Sequence, residues 1–544
     1  MKKMLKTAGF DLPASIVVLL VALPLCLGIA LASKAPLFSG IIAGIVGGIV
    51  IGALSGSHLS VSGPAAGLTV IVATAVIKLP AYEAFLLSVV LAGVLQIIFG
   101  FIKAGILGDY VPNSVIKGML AAIGLILILK QFPHLVGYDE DFQGDESFNQ
   151  GNDENTFSGI FQAFRFFTPV AMIIGAVSIA ILILWERPFI KHQRFLKYIP
   201  GPLLAVAAGI LINYYFQQQN SGMALEGKHL VSLPVANDIH HFLGFLTFPD
   251  IQYLNNPLVW STALTLAVVA SLETLLGIEA IDKLDPLKRV TPTNRELKAQ
   301  GAGNIVSGML GGLPLTSVIV RSSANVASGA RSKISTIFHG ILLFTCVAFI
   351  PGFLNTIPLC ALAAILIFTG YKLAKISLIK EFYLKGWDQF VPFSVTIIAI
   401  LLSDLLTGII IGIVVGLFFM VRSNFHSSVM MINDHNKYLV RLRKDVSFLN
   451  KPIIKKKLES VPENSYLLID ATRADFIDKD IIDAVNEFLL HAHLKNIKVE
   501  IKKSLHKPMH LLFKIPESFK TNISLVEPII NTKHENLRET ITGK

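Results

Sequence analysis

Gly311–Lys333, GGLPLTSVIVRSSANVASGARSK, is the stretch whose reading decides the fold. It places Arg321 between long apolar segments. An arginine at mid-membrane costs roughly 2.5–3.5 kcal/mol on insertion scales, so such a residue faces a cavity or a partner rather than lipid. Pro314 favours extended backbone ahead of it, Thr316 and Ser317 are cap-forming residues, and Val318–Ser328 holds no further proline, so a helix is expected to begin near Val318. A helix that begins inside the membrane leaves its first amides unpaired, here Val318, Ile319 and Val320, with the positive end of the dipole behind them. Side chains lean toward a helix's N-terminus, so Arg321 is expected to turn its guanidinium onto those amides. That combination is the chemistry of an anion site. The competing reading, an arginine snorkelling to the interface as a topology anchor, suits a span end better than mid-span.

Outward from this stretch the chain keeps the same character. Of its 544 residues 53% are hydrophobic and 15% charged, far more apolar than a soluble chain, which makes this a polytopic α-helical membrane protein. The formal net charge of +10 could suggest a nucleic-acid partner. The basic residues, however, sit in short loops between apolar runs and toward the C-terminus, which positive-inside topology explains without one. The three cysteines, Cys26, Cys346 and Cys360, lie within apolar runs without close pairs or histidines at ligand spacing, so neither disulfides nor a metal site is expected. No GxxxxGK[ST] loop is present to drive an ATP pump, and no nucleophile–base constellation suggests an enzyme.

Met1–Ser33 imitates a signal peptide, but Leu12–Ala32 is long enough to span and leads directly into more membrane sequence, so it is read as a retained first span. Leu37–Leu54 follows with glycine at every fourth position from Gly40 to Gly52, a face for close helix approach. Then comes Leu59–Val76, LSVSGPAAGLTVIVATAV, the counterpart of the opening stretch: Ser62 as cap, Pro64, and free amides at Ala65, Ala66 and Gly67. Paired half-helices of this kind point to a transporter built from inverted repeats, with the substrate between their N-termini. Apolar runs from Ala84 to Val421 bring the count to about fourteen membrane segments, an even number that keeps both ends on one side. Arg187, Lys191, Arg194 and Lys197 share that side with Lys283, Lys288, Arg289, Arg331, Lys333 and Lys372, which makes it cytoplasmic. The acidic loop Asp139–Asn155 and the polar loop Gln217–Asn256 fall opposite. After Arg422 short strand patterns at Tyr438–Leu442, Leu467–Asp470 and Val499–Ile501, with a helical pattern at Ile481–Ala492, describe a small cytoplasmic α/β domain. The expected limits are a membrane domain over 1–425, the α/β domain over 436–530 and a tail over 531–544.

Glu273 is a second intramembrane charge, set in VVASLETLLG. Beside an anion site it must be protonated, cation-bound or paired with Arg321. Taking up a proton or sodium ion with the substrate would make a symporter, whereas a permanent pair with Arg321 would make a structural latch; intramembrane acids favour the first. For His339, Gln96 and Asp404, bonding between spans or at a span end is the ordinary explanation.

These residues carry a resemblance. IVRSSANVASGARSK (Ile319–Lys333), SVSGPAAGLTVIV (Ser60–Val72), GDYVPNSVIKGMLAAIGLILILKQ (Gly108–Gln131), SLETLLGIEAID (Ser271–Asp282) and IPLCALAAILIFTG (Ile357–Gly370) together resemble the sulfate permease family, bacterial relatives of the solute carrier family 26 anion transporters. The C-terminal domain resembles the STAS domain that closes such chains. The resemblance implies two inverted seven-segment repeats, core and gate domains, a homodimer and elevator-like movement of the core. It places the anion between the half-helix N-termini (Ala65–Gly67 and Ser317–Val320), with Arg321 as the family's arginine, Glu273 as its acidic coupling residue, and Leu25 and Ile29 as first-span contacts. Three positions depart from family patterns: Leu25 stands where many animal members have glutamine, Gly277 where sodium-coupled members have a hydroxyl, and Asp478-Lys479-Asp480 where regulatory relatives carry a phosphorylatable serine.

The function expected is secondary active transport of a small inorganic anion, bicarbonate or sulfate, across the bacterial inner membrane, coupled to H+ or Na+ through Glu273. No cofactor or metal is expected beyond that ion, and no nucleic acid; a cytoplasmic partner at the STAS domain is. The alternative is an uncoupled exchanger or channel, whose flux would survive loss of Glu273. A nucleobase permease of the same architecture would lack a use for Arg321.

Overall fold

Apolar residues on every face make the first helix, α1 (Ala8–Ala32), a helix for the interior of a bundle, and in the computed structural model, which describes residues 7–141, 148, 155–187, 199–219, 223–235, 244–443, 445–502 and 523–526, it is buried along almost its whole length. The glycine row of α2 (Leu37–Leu54) does what its spacing predicts. A Cβ on Gly40 would stand 2.0 Å from the Cys26 carbonyl oxygen on α1, and one on Gly48 would stand 2.6 Å from the Cα of Gly340. Both neighbours thus approach α2 at backbone distance.

Among the described residues fourteen membrane segments run in order. The first seven are α1, α2, the strand β1 (Ser62–Pro64) with the helix α3 (Thr69–Lys78), α4 (Tyr82–Phe101), α5 (Asn113–Leu135), α6 (Pro169–Trp185) and α7 (Gly201–Gln218). The second seven are α8 (Pro257–Leu284), α9 (Thr293–Leu310), the strand β2 (Leu315–Ser317) with α10 (Ile319–Ala327), α11 (Ile334–Phe349), α12 (Leu359–Leu373), α13 (Trp387–Leu402) and α14 (Leu405–Ser428). Each repeat has its broken segment third. The packing sorts the helices into two groups: α4 packs against α8 and α9 and α1 against α2, α10 and α11, whereas α5 packs against α12 and α13 and α6 against α7 and α12. Each repeat thus gives its first four segments to the core group and later ones to the gate group. One span departs from its apolar reading: α9 buries Glu296, Gln300, Asn304 and Ser307.

The chain divides into two units, 1–416 and 417–544. In the second, five strands lie in the order β3 (Val429–Asp434), β4 (Lys437–Leu442), β5 (Tyr466–Asp470), β6 (Lys498–Lys502) and β7 (Ile523–Val526), the first pair antiparallel and the rest parallel. The helices α15 (Lys451–Glu459) and α16 (Lys479–Ala492) belong to the same unit, with Leu467, Ile469, Val499 and Ile501 packing against Ile481, Val485 and Leu489. Because β3 pairs along its full length with β4, the sheet begins at Val429 and not at the expected 436. The expected tail, most of the acidic loop, and Lys191, Arg194 and Lys197 lie outside the described residues.

Candidate anion site

β1 and β2 come from opposite halves of the chain and pair antiparallel, Ser62 with Ser317, Gly63 with Thr316 and Pro64 with Leu315. This pairing replaces the expected hydroxyl caps. Ser317 Oγ lies 2.6 Å from Ser60 Oγ, Ser62 Oγ accepts from Gln300 Nε2 at 2.6 Å, and neither α3 nor α10 has a side-chain cap. Instead Ser322 fastens α10 to the first half: its Oγ accepts from the Val61 amide at 2.8 Å and donates to the Val318 carbonyl at 2.7 Å.

The strands bring the two helix N-termini to one place, with Gly67 and Ile319 both walling the same small cavity. Ala65 is extended, and the first turn closes with the Leu68 amide on the Ala65 carbonyl at 3.2 Å. Among the described residues the amides of Ala66 and Gly67 therefore have no acceptor. On the other side the expectation needs a correction. The Val318 amide donates to the Val61 carbonyl at 3.0 Å and the Ser317 amide faces Thr274 Oγ1 at 3.4 Å, so neither is free. The open amides are those of Ile319, Val320 and Arg321, one residue further along, because α10 starts at Ile319.

Glu273 reaches this junction from α8. Its carboxylate lies against Gly67: a Cβ there would stand 3.0 Å from Oε1 and 3.3 Å from Oε2. A small cavity opens beside it, walled by Gly67, Glu273 and Ile319 from the core group and by Met119, Leu406 and Ile409 from the gate group. Its volume of about 10 Å³ is room for roughly one water.

Arg321 does not line this cavity, and its guanidinium does not lie on the half-helix amides. It is fully buried behind the strands, with Nη1 2.2 Å from where a Cβ on Gly63 would be and 3.9 Å from a Cβ position on Gly44. Cys26 Sγ is beside it. The lean of a first-turn side chain toward the N-terminus carries it over the preceding strand, and the missing side chain at Gly63 opens the rear face to it. Among the described residues its three guanidinium nitrogens have no oxygen or nitrogen acceptor, with only Cys26 Sγ beside them, and the two ring nitrogens of buried His339 on α11 have no partner. Leu25 and Ile29 are buried in α1 at 3% and 4% exposure and are not among the cavity walls.

Sequence reasoning passed over α9. Asn304 Oδ1 accepts from the Leu315 amide at 2.6 Å, its Nδ2 donates to the Leu315 carbonyl at 3.2 Å, and Ser307 Oγ donates to the Leu313 carbonyl at 2.7 Å. The signal was present in Glu296, Gln300, Asn304 and Ser307, which share one face at helical spacing. Among the described residues no cluster of His, Cys, Asp or Glu could hold a metal ion.

The chain is similar to known proteins. Residues 9–398 match the family described as "Sulfate permease family". The chain is 27% identical over 396 residues, 72% of its own length and 70% of the relative's, to the putative sulfate transporter YvdB of Bacillus subtilis. It is 24% identical over 405 residues, 72% of this chain and 67% of the relative, to the bicarbonate transporter BicA of Picosynechococcus. Among solved structures, the murine anion transporter Slc26a9 in the inward-facing state shares the fold with a TM-score of 0.66 at 14% identity, over 94% of this chain and 88% of that one.

Proposed function

The chain belongs to the sulfate permease family, a family of membrane transporters rather than enzymes, and we propose that it carries bicarbonate or sulfate by alternating access between its core and gate groups, coupled to an ion through Glu273. The observation that carries this reading is the junction itself. Two helix N-termini from opposite repeats meet at one cavity with open amides at Ala66, Gly67, Ile319 and Val320, and a carboxyl group lies against Gly67. Open amides with the helix dipole behind them attract an anion. An ionised carboxylate in the same place repels one, so anion and cation must enter together, the cation on Glu273.

A proton fits better than sodium. A side chain at Gly277 would meet the Ser317 carbonyl oxygen at 2.6 Å, so no hydroxyl can stand there to complete a sodium shell. Arg321 adds positive potential from behind the strands. The cavity lies between the two helix groups, where a rigid displacement of one would carry the anion past the other. The same reading makes the protein an inner-membrane homodimer with both ends cytoplasmic, and makes the C-terminal α/β unit a STAS domain that meets a cytoplasmic partner.

Uptake of labelled bicarbonate and sulfate into proteoliposomes, under an inward proton gradient, an inward sodium gradient or neither, tests this. Proton-driven uptake of one of the two anions is expected, and Glu273→Gln should abolish the dependence on the gradient. Flux that ignores both gradients and is unchanged in Glu273→Gln would assign the protein to the uncoupled exchangers or channels.

A further inference from the structure

One buried polar chain in the membrane unit is not among the cavity walls. Glu296, in the first turn of α9, is 0% exposed. Its Oε2 accepts from Ser55 Oγ at 2.5 Å and from the Gly56 amide at 3.2 Å, in the loop that ends α2. Its Oε1 accepts from Gln300 Nε2 at 3.3 Å, and the same nitrogen donates to Ser62 Oγ in β1 at 2.6 Å. Gln300 thus turns its amide nitrogen toward both acceptors, Glu296 Oε1 and Ser62 Oγ. One turn on, Asn304 bonds to both backbone groups of Leu315 in β2, as a neighbouring strand would, and also donates to Gln96 Oε1 on α4 at 2.6 Å.

We propose that Glu296, Gln300 and Asn304 are positioning residues for anion binding: a ladder on one face of α9 that holds β1 through Ser62 and β2 through Leu315, and so sets the separation of the two half-helix N-termini. The inference rests on the reading of that junction as the anion site. Three-residue strands are too short to fix their own register, whereas the ladder grips each of them from a single rigid helix. Glu296 is the anchor. It receives three donors, the Ser55 hydroxyl, the Gly56 amide and the Gln300 side-chain amide, which hold its carboxyl group in one place. The ladder also ties the loop at Ser55–Gly56 to the strand that opens the first half-helix, so the spacing of the anion's amides depends on a loop that does not touch the anion.

The test is transport in proteoliposomes, with half-saturation, maximal rate and bicarbonate-to-sulfate preference measured for wild type, E296Q, Q300L and the exchanged pair E296Q/Q300E, and melting temperatures alongside. In the exchanged pair the amide at position 296 can donate to the carboxylate at position 300, which in turn accepts from the Ser62 hydroxyl. The single variants should raise half-saturation on the order of tenfold, the scale of a lost hydrogen bond to a charged group, and shift the anion preference. The exchanged pair should recover both. Loss of maximal rate and melting temperature with half-saturation and preference unchanged, and no recovery in the pair, would overturn the proposal and leave α9 a structural strut. G67A, which crowds the Glu273 carboxylate directly, separates the two ideas: unchanged half-saturation there would refute the site itself, whereas an effect at Gly67 without one at Gln300 would refute the ladder alone.

Discussion

On the proposed reading Arg321 acts on the junction as a charge at a distance, and this changes what its replacement should do. A residue that bound the anion through its guanidinium fork would not tolerate lysine. A residue that contributes potential through the strands should. Arg321→Lys is therefore expected to keep most of the anion affinity and Arg321→Ala to weaken it by about 1–2 kcal/mol, the Coulomb scale for a charge several ångströms away at an effective dielectric of about 20, measured by calorimetry or by competition for uptake; equal loss in both would restore a direct contact. Gly63 makes the complementary case. A Cβ there would stand 2.2 Å from Nη1, so Gly63→Ala should destabilise the protein by about 1–3 kcal/mol, the usual cost of overpacking, visible as a lower melting temperature in detergent. The burial and cost of Arg321 were legible in the sequence, because its neighbours are apolar. Its direction was not, because Gly63 meets it only after the two halves of the chain pair.

At the level of elements, the half-helices were legible as breaks in apolar runs, whereas β1 and β2 were read as helix caps. Ser, Thr and Pro before a helix look the same whether the hydroxyl caps the helix or the backbone joins a strand, and the strand partner here lies in the other repeat. The outer end of α5 shows a similar long-range contact. Asp139 accepts from His134 Nδ1 and His229 Nδ1, each at 2.6 Å, and so joins α5 to the connection between α7 and α8. Burial raises the Asp139 carboxyl, but the two histidine hydrogen bonds outweigh it and hold the group below the usual carboxylate range. A depressed folded value means that the clasp stabilises fully above the ordinary carboxyl pKa of about 4 and is lost as pH falls through the lower folded value. Asp139→Asn should thus lower the melting temperature at pH 7, and the gap to wild type should narrow as the pH is taken below about 4. A gap that stays constant with pH would show that the aspartate's charge plays no part in the clasp.

For the whole molecule, the division into a membrane unit and an α/β unit follows from composition, and most strands of the second unit follow from alternation. The boundary between them does not. VMMIND (Val429–Asp434) is a short apolar run that continues directly from α14 with no turn residue between, and such a run cannot be told from helix by pattern alone. Its identity as β3 rests on its pairing with β4, from Val429–Leu442 to Asp434–Lys437. The position of the cut therefore matters in truncation. A chain ending at 435 keeps β3 and removes β4, the strand it pairs with, leaving an apolar edge free to add to another chain. A chain ending at 428 removes the whole sheet. The shorter chain should accordingly be the better behaved on size exclusion, with less aggregate and a higher yield, although it lacks more of the protein. Both should retain the anion preference of the full-length transporter, since the residues at the junction all precede 417. A changed preference in the chain ending at 428 would mean that the α/β unit acts on the anion site, and equal aggregation of the two would mean that β3 is not the exposed element.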